Sequence, residues 1–400
     1  MFFAISPNPE VLAVWSPNLL TNFSQVYTLG SFIIGTDAGW YRRDTDTHTC
    51  IYKGYADSAR LPDLLDQIVE QIEPKLFGCF CVLVYDKLTE QLHIKTDRLR
   101  GFPLYHEERV GVTNLLPMAK TAWSDNLLTI NSDFSFTEEQ FDIVGNIDDT
   151  PVTLEEVTNF IDQRLTEKTQ NLLKYNTLPI KAFLSGGVDT TLVYSYLKKY
   201  ATDFELVKGN VVEFDRFWVQ NSVDIGDHYW GYKQIHQWRA PTMLTSGTPG
   251  DEFMLRSPMY SDQYLKYHGM QITDLLNSDQ RYMHTDYFSQ KKNLELFARQ
   301  TVDRAMTPRQ FQKKLCNYAA NDWQHWHIGN TLTWTPLRDL EVYKMFLRLE
   351  PMDAVTQIMD SAVSVALIER NCPGLSRTIS DQKNTGNYLK NLADYLFGEE

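Results

Sequence analysis

The chain has 400 residues, of which 43% are hydrophobic and 22% charged, with a formal net charge of −13. This length allows two domains, or at most three, each with its own core, and the composition is that of an ordinary globular protein. The negative charge argues against broad electrostatic binding to DNA, RNA or an anionic membrane, and the longest apolar runs fall short of the ~20 residues of a membrane helix.

The start, Met1-Phe2-Phe3-Ala4-Ile5, has neither the basic opening nor the long apolar stretch of a signal peptide, so a cytoplasmic location is expected. Five cysteines (Cys50, Cys79, Cys81, Cys316 and Cys372) are odd in number and scattered, which suggests no disulfide framework. Cys79 and Cys81 fall on the same face of an apolar strand and read as a buried structural pair.

Up to about residue 125 the pattern is strand-like, and the fold class expected there is α+β with sheets. A helix is expected from about Leu61 to Ile72, with Leu61, Leu64, Leu65, Ile68, Val69 and Ile72 on one face. Phe77 to Tyr85 reads as a buried strand, Asp86-Lys87-Leu88-Thr89 as a hairpin turn, and Gln91 to Thr96 as the returning strand. Residues 126–152 are polar and suit a connector.

The rhythm then changes. Thr153 with Glu156 three residues on forms a capping-box signature, and Leu154, Val157, Phe160, Ile161, Leu165 and Leu172 continue at helical spacing. A strand over Ile180–Leu184, a helix from about Thr190 to Tyr200, a strand from about Leu206 to Val212 and another over Thr242–Thr245 make an alternating α/β pattern with a parallel sheet. From about Lys291 onward the chain reads as nearly all helix.

Between the first of these strands and its helix stands Ser185-Gly186-Gly187-Val188-Asp189-Thr190. Glycines let the backbone turn sharply and approach a phosphate, and the first N–H groups of the helix point at it. Ser185 and Thr190 add hydroxyl donors, and Asp189 is placed to hold a magnesium ion between phosphate oxygens. The spacing is neither that of a Walker A loop nor that of a dinucleotide fingerprint. The plain alternative is a glycine turn between strand and helix.

These residues resemble the ATP-pyrophosphatase domain of the asparagine synthetase family, which includes β-lactam synthetases and lasso-peptide cyclases. Phe183 to Thr190 is similar to the family's F-L-S-G-G-x-D-S, and Ser246-Gly247-Thr248-Pro249-Gly250-Asp251-Glu252 to its S-G-E-G-S-D-E. Trp334-Thr335-Pro336-Leu337-Arg338-Asp339 lies where the family has R-x-P-F-L-D. In the other half, Phe77-Gly78-Cys79-Phe80, Tyr85-Asp86-Lys87 and the run Asp97 to Tyr105 resemble G-x-F-A-F…Y-D and R-D-x-x-G-x-x-P-L-Y-Y. Order and spacing agree, so the resemblance spans most of the chain.

The resemblance implies an Ntn-type, glutamine-amidotransferase-like sandwich over 1–125, a connector over 126–152 and a PP-loop α/β domain over 153–400, mostly helical after 290. It implies ATP and magnesium as cofactors. Leu184, Ser185, Gly186, Gly187, Asp189, Thr190 and Gly247 would hold the nucleotide, and Asp189 and Asp251 the metal. The plain alternative for Asp251 is an acidic turn capping the next helix.

Departures from the family shape the expected activity. Phe2 stands where the glutamine-using members have a cysteine nucleophile, and neither R-G-P-D nor N-G-E-I-Y is present to hold glutamine, so no glutaminase is expected. Thr248 stands where the family carries a catalytic glutamate or tyrosine and has no useful basicity. Glu252 is the candidate base, with His325 and His327 as alternatives more readily explained as packed or surface histidines. Lys383, in a polar loop before the last helix, is the candidate for the family's phosphate-neutralising lysine. The stretch from Asp189 to Asp251 is shorter than in the family, and Phe217, Trp218, Tyr229, Trp230 and Trp238 could rebuild a substrate pocket or simply pack a core.

The expected activity is an AMP-forming carbon–nitrogen ligase acting on a small-molecule or peptide carboxylate. Three alternatives stay open: a nucleobase-modifying enzyme of the same loop class, an intramolecular cyclase, and a catalytically silent nucleotide-binding protein. Neither nucleic acid nor membrane is an expected partner, and the oligomeric state is open, a homodimer included.

Overall fold

The computed structural model describes residues 3–10, 12, 24–73, 75–99, 104–107, 111–113, 121–123, 127–139, 141, 148, 150–184, 187–208, 241–247, 250–254, 331–350, 353–354, 356–357 and 361–378. Residues 3–139 contain two six-stranded antiparallel sheets. The first has the order β10-β8-β9-β1-β3-β2, from β1 (Phe3–Ser6), β2 (Gln25–Leu29), β3 (Phe32–Thr36), β8 (Leu104–Glu107), β9 (Gly111–Thr113) and β10 (Thr121–Trp123). The second has the order β12-β11-β7-β6-β5-β4, from β4 (Tyr41–Asp44), β5 (His48–Ala56), β6 (Gly78–Asp86), β7 (Gln91–Thr96), β11 (Leu127–Ile130) and β12 (Phe136–Glu139).

The apolar run of β6 explains how these layers stack. Successive side chains of a strand point to opposite faces, so a run apolar throughout must be covered on both. Cys79, Cys81, Leu83 and Tyr85 face Phe3, Ile5, Phe32 and Ile34 in the core between the sheets. Phe80, Val82 and Val84 face the other way and lie under Leu61, Leu65 and Ile68.

That covering helix is shorter than its sequence suggests: a 3-10 turn over Leu61–Leu64 runs into α1 (Leu65–Glu70), and Ile72 is exposed. Lys95 is the physical reason. Its ammonium donates to the carbonyls of Ile68, Val69 and Gln71, closing the helix where the backbone turns extended.

A four-stranded, all-parallel sheet follows, with the order β14-β13-β15-β16: β13 (Ile180–Leu184), β14 (Glu205–Lys208), β15 (Thr242–Thr245) and β16 (Thr331–Trp334). β14 begins one residue earlier than expected, and residues 209–212 lie outside the described set. β16 corrects the expectation of an all-helical end. Four residues of apolar and threonine side chains dock on β15, where burial on both sides stabilises a strand.

The helices that accompany this sheet include α2 (Leu154–Tyr175), α3 (Val188–Tyr200), α4 (Gly250–Phe253), α5 (Leu340–Phe346) and α6 (Ala362–Asn371). α2 opens with the expected capping box: the Thr153 hydroxyl accepts from Glu156 N at 3.3 Å and the Glu156 carboxylate accepts from Thr153 N at 2.8 Å. Among the described residues no helix is long and apolar enough to cross a membrane.

Candidate nucleotide site

Three turns meet at one edge of the parallel sheet. β13, β15 and β16 are neighbours running the same way, so the segments that leave their carboxyl ends lie side by side. Gly187 opens α3 after β13, Ser246 and Gly247 follow β15 ahead of α4, and Thr335 to Asp339 lead from β16 into α5. Ser246 N donates to Trp334 O at 2.9 Å and ties the second turn to the third. In open parallel sheets this edge is where ligands bind.

The first two turns interlock through glycine. A Cβ on Gly247 would lie 2.2 Å from the Asp189 carbonyl carbon and 2.3 Å from Thr190 N. A Cβ on Gly250 would lie 2.5 Å from Asp189 Cγ and 2.7 Å from both Asp189 Oδ1 and Leu337 Cδ1. Real side chains do not approach so closely, so the sequence needs glycine at both places for the head of α3 to seat against the second turn.

Gly187 is the N-cap of α3 and offers no capping side chain, while Asp189 lies in the first turn, where the helix dipole favours a carboxylate. Thr190 departs from expectation. Its hydroxyl donates to Gly187 O at 3.0 Å and is buried, so the donor expected to serve a phosphate is already engaged. Thr191 donates to the same carbonyl at 2.8 Å. Leu184 is buried at the end of β13 and contributes backbone to the site edge.

The remaining expected site residues divide simply. Asp251 and Glu252 are in α4, directly after the glycine that touches Asp189, and their side chains are outside the described set. Ser185, Gly186, Thr248 and Lys383 lie outside the described residues, as do His325, His327, Phe217, Trp218, Tyr229, Trp230 and Trp238. Among the described residues, no three His, Cys, Asp or Glu side chains cluster as a metal site.

The third turn is bound chiefly to the antiparallel sheets. Arg338 is 4% exposed; its Nη2 donates to Asp97 Oδ1 at 2.8 Å and its Nη1 to Gly78 O at 3.1 Å. Thr335 N donates to the Tyr55 hydroxyl at 3.1 Å. Asp339 caps α5 by accepting from Glu341 N at 2.9 Å, and its other oxygen takes Arg164 at 2.6 Å and Lys168 at 3.1 Å. Lys168 reaches back across the boundary to Asp57 at 3.0 Å and also donates to Pro336 O.

Three carboxylates (Asp57, Asp97 and Asp339) thus balance three cations (Arg164, Lys168 and Arg338) in a buried boundary. Burial raises the Asp339 pKa, but Lys168 and Arg164 outweigh it and hold the carboxyl below its ordinary value. Burial lowers the Lys168 pKa, and Asp339 and Asp57 outweigh it in turn, leaving the ammonium above its ordinary value. Neutral pairing is what makes such burial tolerable.

The sequence reading missed Arg164, Lys168, Asp57 and Asp97 as site neighbours. Lys168 carried a signal: it falls on the buried stripe Val157, Ile161, Leu165, Leu172 of α2, a place for an apolar residue.

Compared with known proteins, the chain matches no family model and no curated protein.

Proposed function

We propose that this protein is an ATP-dependent ligase that activates a carboxylate as its adenylate and transfers it to nitrogen, releasing AMP and pyrophosphate. One observation carries the reading: Asp189, in the first turn of α3, packs on Gly247, which follows the next strand, and on Gly250, which opens α4, at the ligand-binding edge of a parallel sheet. The sequence resemblance to the ATP-pyrophosphatase domain of asparagine synthetases adds the nucleotide and the bond broken.

In this reading the turn 185–187 and the first N–H groups of α3 receive the phosphates, since glycine backbone and helix dipole both suit an anion. Asp189 and Asp251 would hold magnesium, which when bound neutralises charge on the phosphates. A carboxylate oxygen of the substrate attacks the α-phosphorus as the bond to pyrophosphate breaks. An amine nitrogen then attacks the acyl carbon, loses a proton, and displaces AMP. Glu252 is the proposed proton acceptor and Lys383 the proposed counter-charge. The chain's contribution is orientation and fixed charge, which supply most of the acceleration in such transfers.

The test is Asp189→Asn. AMP formation is expected to be abolished with the melting temperature nearly unchanged, because asparagine keeps the shape of the half-buried side chain against Gly250 and the lost helix-dipole contribution is at most about 2 kcal/mol. A large drop in melting temperature, or full activity, overturns the assignment.

A further inference from the structure

The third turn is held from outside its own sheet. Residues 335–339 leave β16 at the ligand-binding edge, yet Thr335 N bonds to Tyr55, and Arg338 bonds to Gly78 and Asp97. All three partners belong to the antiparallel sheet that holds β5, β6 and β7 or to the residue following it. Lys168, which holds Pro336 and Asp339, is itself paired with Asp57 just beyond β5. The apolar packing agrees, for Tyr55, Phe77 and Leu99 join the core of the parallel-sheet half.

Glycine explains how the bonding is reached. Gly54 (φ +119°) and Gly78 (φ +146°) have left-handed backbone opposite Phe80 and Ala56. A Cβ on either would lie within 2.3 Å of the opposing strand's carbonyl oxygen. The close strand approach they permit flanks Tyr55 and brings Gly78 O to Arg338.

From the turn, contact continues to the phosphate loop. Leu337 is fully buried and its Cδ1 abuts Gly250, which abuts the carboxyl group of Asp189. A line of packed groups therefore runs Asp97, Arg338, Leu337, Gly250, Asp189, buried as far as Gly250 and half-buried at Asp189. The ion pair at its start is not one that solvent screens: Asp97 and Arg338 side chains are 1% and 2% exposed.

We propose that the antiparallel sandwich is a working part of the nucleotide site, with Arg338 and Asp97 as positioning residues that fix the 335–339 turn and so set where Asp189 stands. This rests on the ATP-binding reading of that loop. Neither residue touches the nucleotide; both act through Leu337. It follows that the parallel-sheet half has a misplaced phosphate loop whenever the Arg338–Asp97 pair is lost, even when both halves stay folded.

The experiment uses the full chain and measures MgATP affinity by isothermal titration at a temperature where circular dichroism shows each variant folded. Wild type, Asp97→Asn, Leu337→Ala and their double variant are compared, with Tyr55→Phe as a milder probe that keeps every buried charge. Asp97→Asn and Leu337→Ala are each expected to weaken MgATP binding about tenfold, within the scale of coupling through a packed network. The double variant is expected to be no weaker than Leu337→Ala alone, because one route serves both. Should Asp97→Asn fail to fold, Tyr55→Phe is expected to weaken binding several-fold while folded. Wild-type affinity in folded Asp97→Asn or Tyr55→Phe, or losses that simply add in the double variant, overturn the positioning role while leaving the nucleotide reading intact. Absence of MgATP binding by wild type instead overturns the nucleotide reading, and the proposal with it.

Discussion

Gly250 lies directly against the carboxyl group of Asp189, so that a methyl group in place of its hydrogen would stand 2.5 Å from Cγ. That contact joins two sequence segments which, taken separately, are a glycine turn and an acidic turn. Together they form one surface at the carboxyl ends of β13 and β15. The same glycine also touches Leu337 of the third turn, so one residue without a side chain is where all three meet.

Gly250→Ala is therefore expected to destabilise the protein despite a favourable change in helix propensity. Gly250 opens α4, so alanine gains there no more than its helix-interior advantage of about 1 kcal/mol. Overpacking a filled contact costs about 1–3 kcal/mol, and here the neighbours are a carboxyl group and a buried leucine that cannot both withdraw. A lowered urea midpoint is expected, together with loss of any MgATP-dependent rise in melting temperature. An alanine variant as stable as wild type would show that the contact is loose.

Removing one member of the Arg338–Asp97 pair should cost much more than removing both. Arg338→Met leaves the Asp97 carboxylate buried without its cation, a change of about 3–5 kcal/mol. Adding Asp97→Asn removes that charge while keeping an oxygen to accept from Leu99 N, so most of the loss should return. Denaturant unfolding of Arg338→Met, Asp97→Asn and the double variant checks this. A single variant costing under about 1 kcal/mol would contradict a buried, structure-bearing pair.

Asp339 sets an acid limit. Its carboxyl is fully buried and held below its ordinary value in the folded protein, while in the unfolded chain it titrates near 3.9. Its stabilising contribution is therefore complete above that unfolded value and is lost as pH falls through the lower folded one. Lys168 has the opposite sign: its folded value is raised, so its contribution is present below the unfolded lysine value and lost as pH rises through the folded one. Urea midpoints of wild type and Asp339→Asn should differ most near neutrality and converge as pH drops below about 4. A gap that stays constant down to strongly acidic pH would contradict the assignment.

The described cysteines of the antiparallel half should be inert. Burial pushes the Cys50 thiol up to about 11, and the Cys79 and Cys81 thiols higher still. None of the three is in a disulfide, and all are buried. Iodoacetamide at neutral pH is expected to leave them unmodified in the native protein and to label them after denaturation, as read by peptide mass spectrometry. Native labelling of Cys79 or Cys81 would contradict the packing of β6.

What was legible in the sequence was local. The apolar run of β6, its hairpin with β7, the Thr153–Glu156 capping box and the strand at 242–245 all follow from periodicity or from residues within a few positions. Less visible was β12, whose Thr137, Glu138 and Glu139 are exposed; a solvated edge strand has the composition of a linker, and the polar stretch 126–152 hid it and β11. β16 is four residues long and recognisable only by its partner β15. The boundary ion pairs join Asp57 to Lys168 and Asp97 to Arg338, far apart in the chain, and no spacing rule reaches that distance. Asp189 was a candidate from its motif, while Leu337, which shares Gly250 with it, emerged only from the packing.

The most direct test of the central claim is the product formed from ATP. The pure protein is incubated with MgATP, with and without a metabolite extract from its source, and AMP is separated from ADP by chromatography. AMP and pyrophosphate that depend on the extract are the predicted result, and fractionating the extract then identifies the acceptor. ADP as the product, or neither product together with no MgATP-induced rise in melting temperature, would contradict it.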